Sequence, residues 1–133
     1  MGADAAWLAP RLAAAGAVAG SVHRREGDGL RLTGAVNLPE AVQAVVDFVP
    51  AGKGMAGLAL SRQVPVVSCN IQTDETGDVK PGARAVDAQA AAALPVFDEV
   101  GAVRAVVGFA FAEDRALSEA ELAALSAVAA ELR

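Results

Sequence analysis

The sequence predicts an α+β fold built on an antiparallel sheet, and three observations carry that prediction. Val18–Arg25 and Leu30–Leu38 read as two strands joined by Glu26-Gly27-Asp28-Gly29, whose Asp-Gly step marks a hairpin. Val103–Phe111 alternates as a strand whose second face is also mostly apolar, so both of its faces are expected to be covered. Ser118 with Glu121 forms a capping box, after which Leu122, Leu125, Val128, Ala129 and Leu132 recur at helical spacing to the end.

The remaining elements follow in chain order. Asp4 is placed to cap a helix over Ala5–Ala15, with Trp7, Leu8 and Leu12 as its apolar side and Gly16 as its stop. Pro10 either starts this helix or kinks it. In the second strand Leu30, Leu32, Gly34, Val36 and Leu38 fall on one face and Arg31, Thr33, Ala35 and Asn37 on the other. Pro39 opens a helix with Val42, Val45 and Val46 on its buried side, and Pro50 ends it. Pro50–Asn70 then reads as a glycine-rich turn, a short helix and a strand over Val64–Ser68. Ile71–Arg84 is polar and aperiodic, and loops of that length in compact domains are usually lids or binding segments. Ala88–Phe97 is expected to be a strand with a bulge or an edge at Pro95, although its alanines would also suit a helix over Ala88–Leu94. Asp98-Glu99-Val100-Gly101 is a turn.

Composition narrows the function classes. At 133 residues the chain is one domain, 1–133, long enough to bury a real core. Apolar residues make up 54%, much of it Ala, which favours close packing of elements over bulky core plugs. A net charge of −5 and only 4% aromatics argue against nucleic-acid binding, which needs a basic face and stacking rings. A single cysteine precludes an intramolecular disulfide and suits a reducing cytoplasm. The N-terminus lacks the pattern of a signal peptide, and no apolar run approaches the roughly 20 residues of a membrane span. A cytoplasmic protein with no nucleic-acid or membrane partner is the expectation.

Taken in order, Gly52-Lys53-Gly54-Met55-Ala56-Gly57, Pro65-Val66-Val67, Ala93-Leu94-Pro95-Val96, Val106-Val107-Gly108-Phe109-Ala110-Phe111 and the closing helix Ser118–Leu132 resemble a GAF domain over nearly the whole chain. The resemblance implies a GAF-like (profilin-like) central antiparallel sheet of five to six strands. Terminal helices would pack on one face, with pocket-covering helices and the long loop on the other. It also implies a small-molecule-sensing role in signal transduction, often within dimers built on the terminal helices.

Each chemical motif has a bland alternative. Gly52, Gly54 and Gly57 fit G-x-G-x-x-G, but a preceding helix and antiparallel hairpins do not suit a dinucleotide-binding βαβ unit. No Lys-Ser or Lys-Thr follows, so the string is no phosphate-binding P-loop; it is a structural turn, or at most an anion site beside Lys53. Cys69 is either a buried inert thiol or a reactive one at a pocket rim. Some GAF proteins reduce free methionine sulfoxide with several cysteines, whereas this chain has one. Bilin-attaching GAF domains carry Cys-His, and here Cys69 precedes Asn70. The Asn-Lys…Phe…Asp-Glu signature of cyclic-nucleotide-binding GAF domains is absent. His23, the one histidine, is expected to be an ordinary half-exposed strand residue; a haem-ligand role would need it to face a pocket. Asp74, Glu75, Asp78 and Asp87 do not follow calcium-loop spacing, and one His and one Cys far apart make a poor zinc site.

The sequence therefore points to a non-enzymatic sensory or regulatory module that binds a small molecule and acts as a stand-alone protein. No catalytic set, cofactor or metal is predicted. Cys69, Asn70, Gln72, Thr73, Asp74, Lys80, Arg84 and Gln89 form the expected polar rim of the ligand site, around a sheet face of Ala, Gly and Val. The small residues Ala123, Ala124, Ala127 and Ala130 of the last helix suit a homodimer contact. The alternative is a single-cysteine thiol enzyme, methionine sulfoxide reductase-like or peroxide-reactive, using Cys69.

Overall fold

The two hairpins join edge to edge. A computed structural model describes residues 2–68, 90–113 and 116–133. Helix α1 (Gly2–Ala15) leads into the hairpin of β1 (Ala19–Glu26) and β2 (Gly29–Val36), followed by α2 (Glu40–Val45), β3 (Phe48–Pro50), α3 (Gly54–Arg62) and β4 (Val66–Ser68). The second hairpin is β5 (Ala90–Phe97) and β6 (Val103–Phe111), and α4 (Glu119–Ala129) follows it. Among the described residues the strands form one six-stranded sheet in the order β3-β2-β1-β6-β5-β4, every neighbouring pair antiparallel. The α+β class and the antiparallel layer are as the sequence predicts. Ala90–Phe97 is a strand and not a helix, and Pro95 lies beyond the stretch that β4 pairs with, Ala91 to Ala93.

One face of the sheet carries α1 and α4. Leu8, Leu12, Val22, Leu94, Val107, Phe109, Phe111, Leu125, Ala129 and Leu132 form a continuous buried cluster there. The capping box at Ser118 is present in both directions. Helix α1 starts at Gly2 and runs through Pro10 without ending, and Gly16 stops it at φ 75°. Asp4 is not its cap. It lies inside the first turn, where its carboxylate accepts from Arg24 Nε and Nη2 at 2.8 and 2.9 Å and from Thr33 Oγ1 at 2.6 Å. That pair ties α1 to the hairpin beneath it, and the Arg24 hydrogen bond lowers the Asp4 pKa against the opposing effect of burial.

The opposite face carries α3 over Leu30, Val49, Val66, Ala93, Val103 and Val106. Three expectations fail here for physical reasons. The helix from Pro39 stops at Val45, which is 52% exposed, and Phe48–Pro50 instead pairs with the open edge of β2 as β3. Strand pairing satisfies that edge, which local helix propensity does not report. The simple alternation in β2 is broken by a bulge at Thr33, where the register passes from Val22↔Gly34 to His23↔Leu32. Leu30 and Leu32 therefore lie on the opposite face from Gly34 and Val36. A second bulge, at Arg104, moves Val103 to the α3 face, away from Ala105 and Val107. The hairpin turn itself holds a smaller surprise: the residue with positive φ is Gly27, at 59°, as in a II′ turn, and not the Gly29 of the Asp-Gly step.

Candidate functional site

Cross-strand register builds a floor of small side chains under α2 and α3. Ser21 of β1 aligns with Gly108 of β6, which aligns with Ala93 of β5; two residues along, Ala19, Ala110 and Ala91 align in the same way. Side chains this short cannot reach the helices above, and a cavity of about 140 Å³ remains. Leu38, Val42, Val46, Val49 and Met55 flank it on the α2, β3 and α3 side, and Lys53 stands at its edge. Gly108 matters here for space: a Cβ at that position would come 2.9 Å from Ser21 Oγ.

His23 occupies the β1 position next to this floor and lines the cavity. It is 3% exposed, so the half-exposed strand histidine expected from the sequence is corrected. Its Nε2 lies 2.9 Å from the carbonyl oxygen of Val46. A carbonyl only accepts, so Nε2 bears the hydrogen, and the neutral ring leaves Nδ1 with a bare lone pair. Nδ1 is buried and has no hydrogen-bond partner among the described residues. Burial lowers the His23 pKa, and the Val46 hydrogen bond and the charge of Asp47 oppose that shift. The ring is thus held neutral, as a donor to the backbone on one side and an unused acceptor on the other.

The glycine-rich string forms the entry to α3. Gly52 and Gly54 take φ of 82° and 65°, and a Cβ on Gly57 would lie 2.4 Å from the Pro50 carbonyl oxygen, so this glycine lets α3 sit down on β3. A strand, β3, precedes the string, where a helix was expected. The structure still provides no βαβ unit, because β3 and β4 occupy opposite edges of the antiparallel sheet.

The expected rim of Cys69, Asn70, Gln72, Thr73, Asp74, Lys80, Arg84 and Gln89 lies outside the described residues, as do Glu75, Asp78 and Asp87. The small-residue sheet face foreseen from the sequence is present and lines a cavity. Helices over a pocket are what the resemblance implies, but the wall residues were not foreseen: Val42 and Val46 read only as a helix's buried side, and His23 as a half-exposed strand residue. The signal was available in the paired small-residue rows, which require a gap beneath whatever covers them. Among the described residues no three His, Cys, Asp or Glu side chains come together to hold a metal ion, and no helix is long and apolar enough to cross a membrane.

The sequence matches the GAF domain family over residues 4–132. The chain belongs to that family. Solved GAF structures share its fold: the GAF domain/HD domain protein of Geobacter sulfurreducens superposes with a TM-score of 0.72 at 15% identity, over 92% of this chain and 82% of that one. The GAF domain of a phosphoenolpyruvate-protein phosphotransferase from Coxiella burnetii gives 0.69 at 18% identity, over 85% and 67%. The type II free methionine-R-sulfoxide reductase of Thermoplasma acidophilum gives 0.69 at 17% identity, over 96% and 82%. Likeness at these identities establishes the GAF fold and nothing finer. No curated protein matches the chain.

Proposed function

We propose that this GAF domain is a non-enzymatic sensory module that binds a small molecule in the cavity between the sheet and α2–α3. The cavity itself carries the reading: about 140 Å³ left by short side chains in register, with a buried histidine on its wall. Short side chains in register keep a concave, mostly apolar space open between the sheet and the helices, which is the form small-molecule sites take. A thermal-shift screen of small metabolites, with native mass spectrometry for a co-purified ligand, tests this. A ligand at 100 times its Kd raises stability by about 2.7 kcal/mol. No stabilisation by any compound and no bound mass would defeat the proposal.

The same module is proposed to form a homodimer through its terminal helices, where Ala123, Ala124 and Ala127 are exposed on α4 and Ala130 at its C-terminal end. Analytical ultracentrifugation showing a pure monomer at high concentration would remove that part. The second reading, thiol chemistry at Cys69, draws support from fold neighbours described as free methionine-R-sulfoxide reductases. Turnover of free methionine sulfoxide and of peroxide, wild type against Cys69→Ala, decides it: equal background in both eliminates the enzyme.

A further inference from the structure

His23 carries the inference furthest, and it rests on the small-molecule reading of the cavity. We infer that the ligand is a compact, neutral, largely apolar molecule bearing one N–H or O–H donor, which it gives to Nδ1 of His23. Four observations select that class. The Val46 carbonyl fixes the ring's hydrogen on Nε2, so Nδ1 is available only as an acceptor. Nδ1 is buried without a partner among the described residues, and a buried polar atom left unpaired is destabilising, which a matching donor would relieve. The cavity of about 140 Å³ is close to the size of engineered cavities that admit a single benzene ring, so the part of the ligand seated in it has roughly that bulk. Among the described residues the lining around His23 is otherwise apolar, of Ala, Val, Gly, Leu, Met and Phe, with Ser21 on the floor and the Lys53 cation at the edge.

The same arrangement rejects other classes. A carboxylate or carbonyl oxygen placed against Nδ1 would set two lone pairs against each other. A charged ligand would lose its hydration to a lining that, among the described residues, is apolar at depth and offers no opposite charge there. A pure hydrocarbon fits by shape but leaves Nδ1 unpaired. Less than 1 Å² of Nδ1 is accessible, so contact with it requires the lining to give, and Met55, on the α3 side of the cavity, is a soft, unbranched side chain.

Phenol and toluene test the inference, because they share a shape and differ in one O–H donor. Binding is read by thermal shift and by titration of the 15N-histidine spectrum, in which His23 supplies the only side-chain signals of the chain. The expected result is at least tenfold tighter binding of phenol than of toluene, with the Nδ1 resonance moving upfield as it accepts. In His23→Phe the preference for phenol should vanish. Equal affinity for both probes in the wild type, or phenol binding with an unmoved Nδ1 resonance, overturns the donor inference while leaving the cavity as a binding site. Failure of both probes and of the metabolite screen overturns the two together. The spectrum needs no variant, so the test stands even where His23→Phe does not fold. A free-state Nδ1 resonance already shifted to its hydrogen-bonded position, as from a buried water, also overturns it.

Discussion

The two faces of the sheet are built from the same three central strands and end in opposite states. On the α1–α4 side the strands offer Val22, Leu94, Val107, Phe109 and Phe111, and these meet the helices in a continuous core. On the α2–α3 side the same strands offer Ser21, Ala93, Ala91, Gly108 and Ala110, and a cavity is left. Period-two alternation along Val107–Phe111 of β6 thus sorts large from small residues, and sorting by size separates a face that stabilises from a face that can hold something.

Truncation on the packed face should break this contrast most strongly. Phe109→Ala is expected to cost about 3–5 kcal/mol, because Phe109 is 1% exposed and its neighbours are held by two helices. Urea unfolding measures it, and a loss under 1 kcal/mol would mean that the packed face is looser than described. Arg24→Ala removes both hydrogen bonds to Asp4 and should cost about 1–2 kcal/mol, less than full burial would give because the guanidinium is partly exposed.

Acid separates the faces in another way. Burial lowers the folded-state pKa of His23 below its unfolded value of 6.5. The unfolded chain therefore binds the extra proton first, and stability present above pH 6.5 falls as the pH drops toward the folded value. The slope is at most about 1.4 kcal/mol per pH unit for one group. Asp4, whose pKa is lowered chiefly by Arg24, acts in a more acidic window, contributing above 3.8 and losing that contribution as the pH falls further. Unfolding curves of wild type and His23→Gln between pH 7 and pH 5 resolve the first: only the wild type should show the decline.

The smallest effect on stability is expected from filling the cavity. Ala91→Leu adds bulk where space exists and should change stability by less than about 1 kcal/mol while abolishing binding of a cavity-sized probe such as phenol. A loss of several kcal/mol would show that the floor is already full.

How far the sequence reveals these features depends on how local their causes are. The β1–β2 turn, the alternation of Val103–Phe111 and the Ser118–Glu121 cap are set by residues a few positions apart, and each was legible. The register bulges at Thr33 and Arg104 were not, because each is defined against a partner strand; alternation read along a single strand passes straight through them. Strand β3 is three residues long and exists by pairing with β2, so no run of its own announces it. His23 was misjudged because the carbonyl that holds its ring, that of Val46, comes from just past the end of α2, 23 positions on. The size of the floor residues was plain in the sequence, but the gap above them depends on where α2 and α3 come to rest.

One feature of β1 joins the two halves of this comparison. His23 faces the cavity, and its neighbour Arg24 faces the other way, donating to Asp4 near the start of the chain and to the carbonyl oxygen of Arg133 at its last residue. A single peptide unit therefore separates the cavity wall from the knot that gathers both ends of the polypeptide. The imidazole and the guanidinium thus share one short stretch of strand, with the cavity wall on one side of the sheet and the ion pair to α1 on the other.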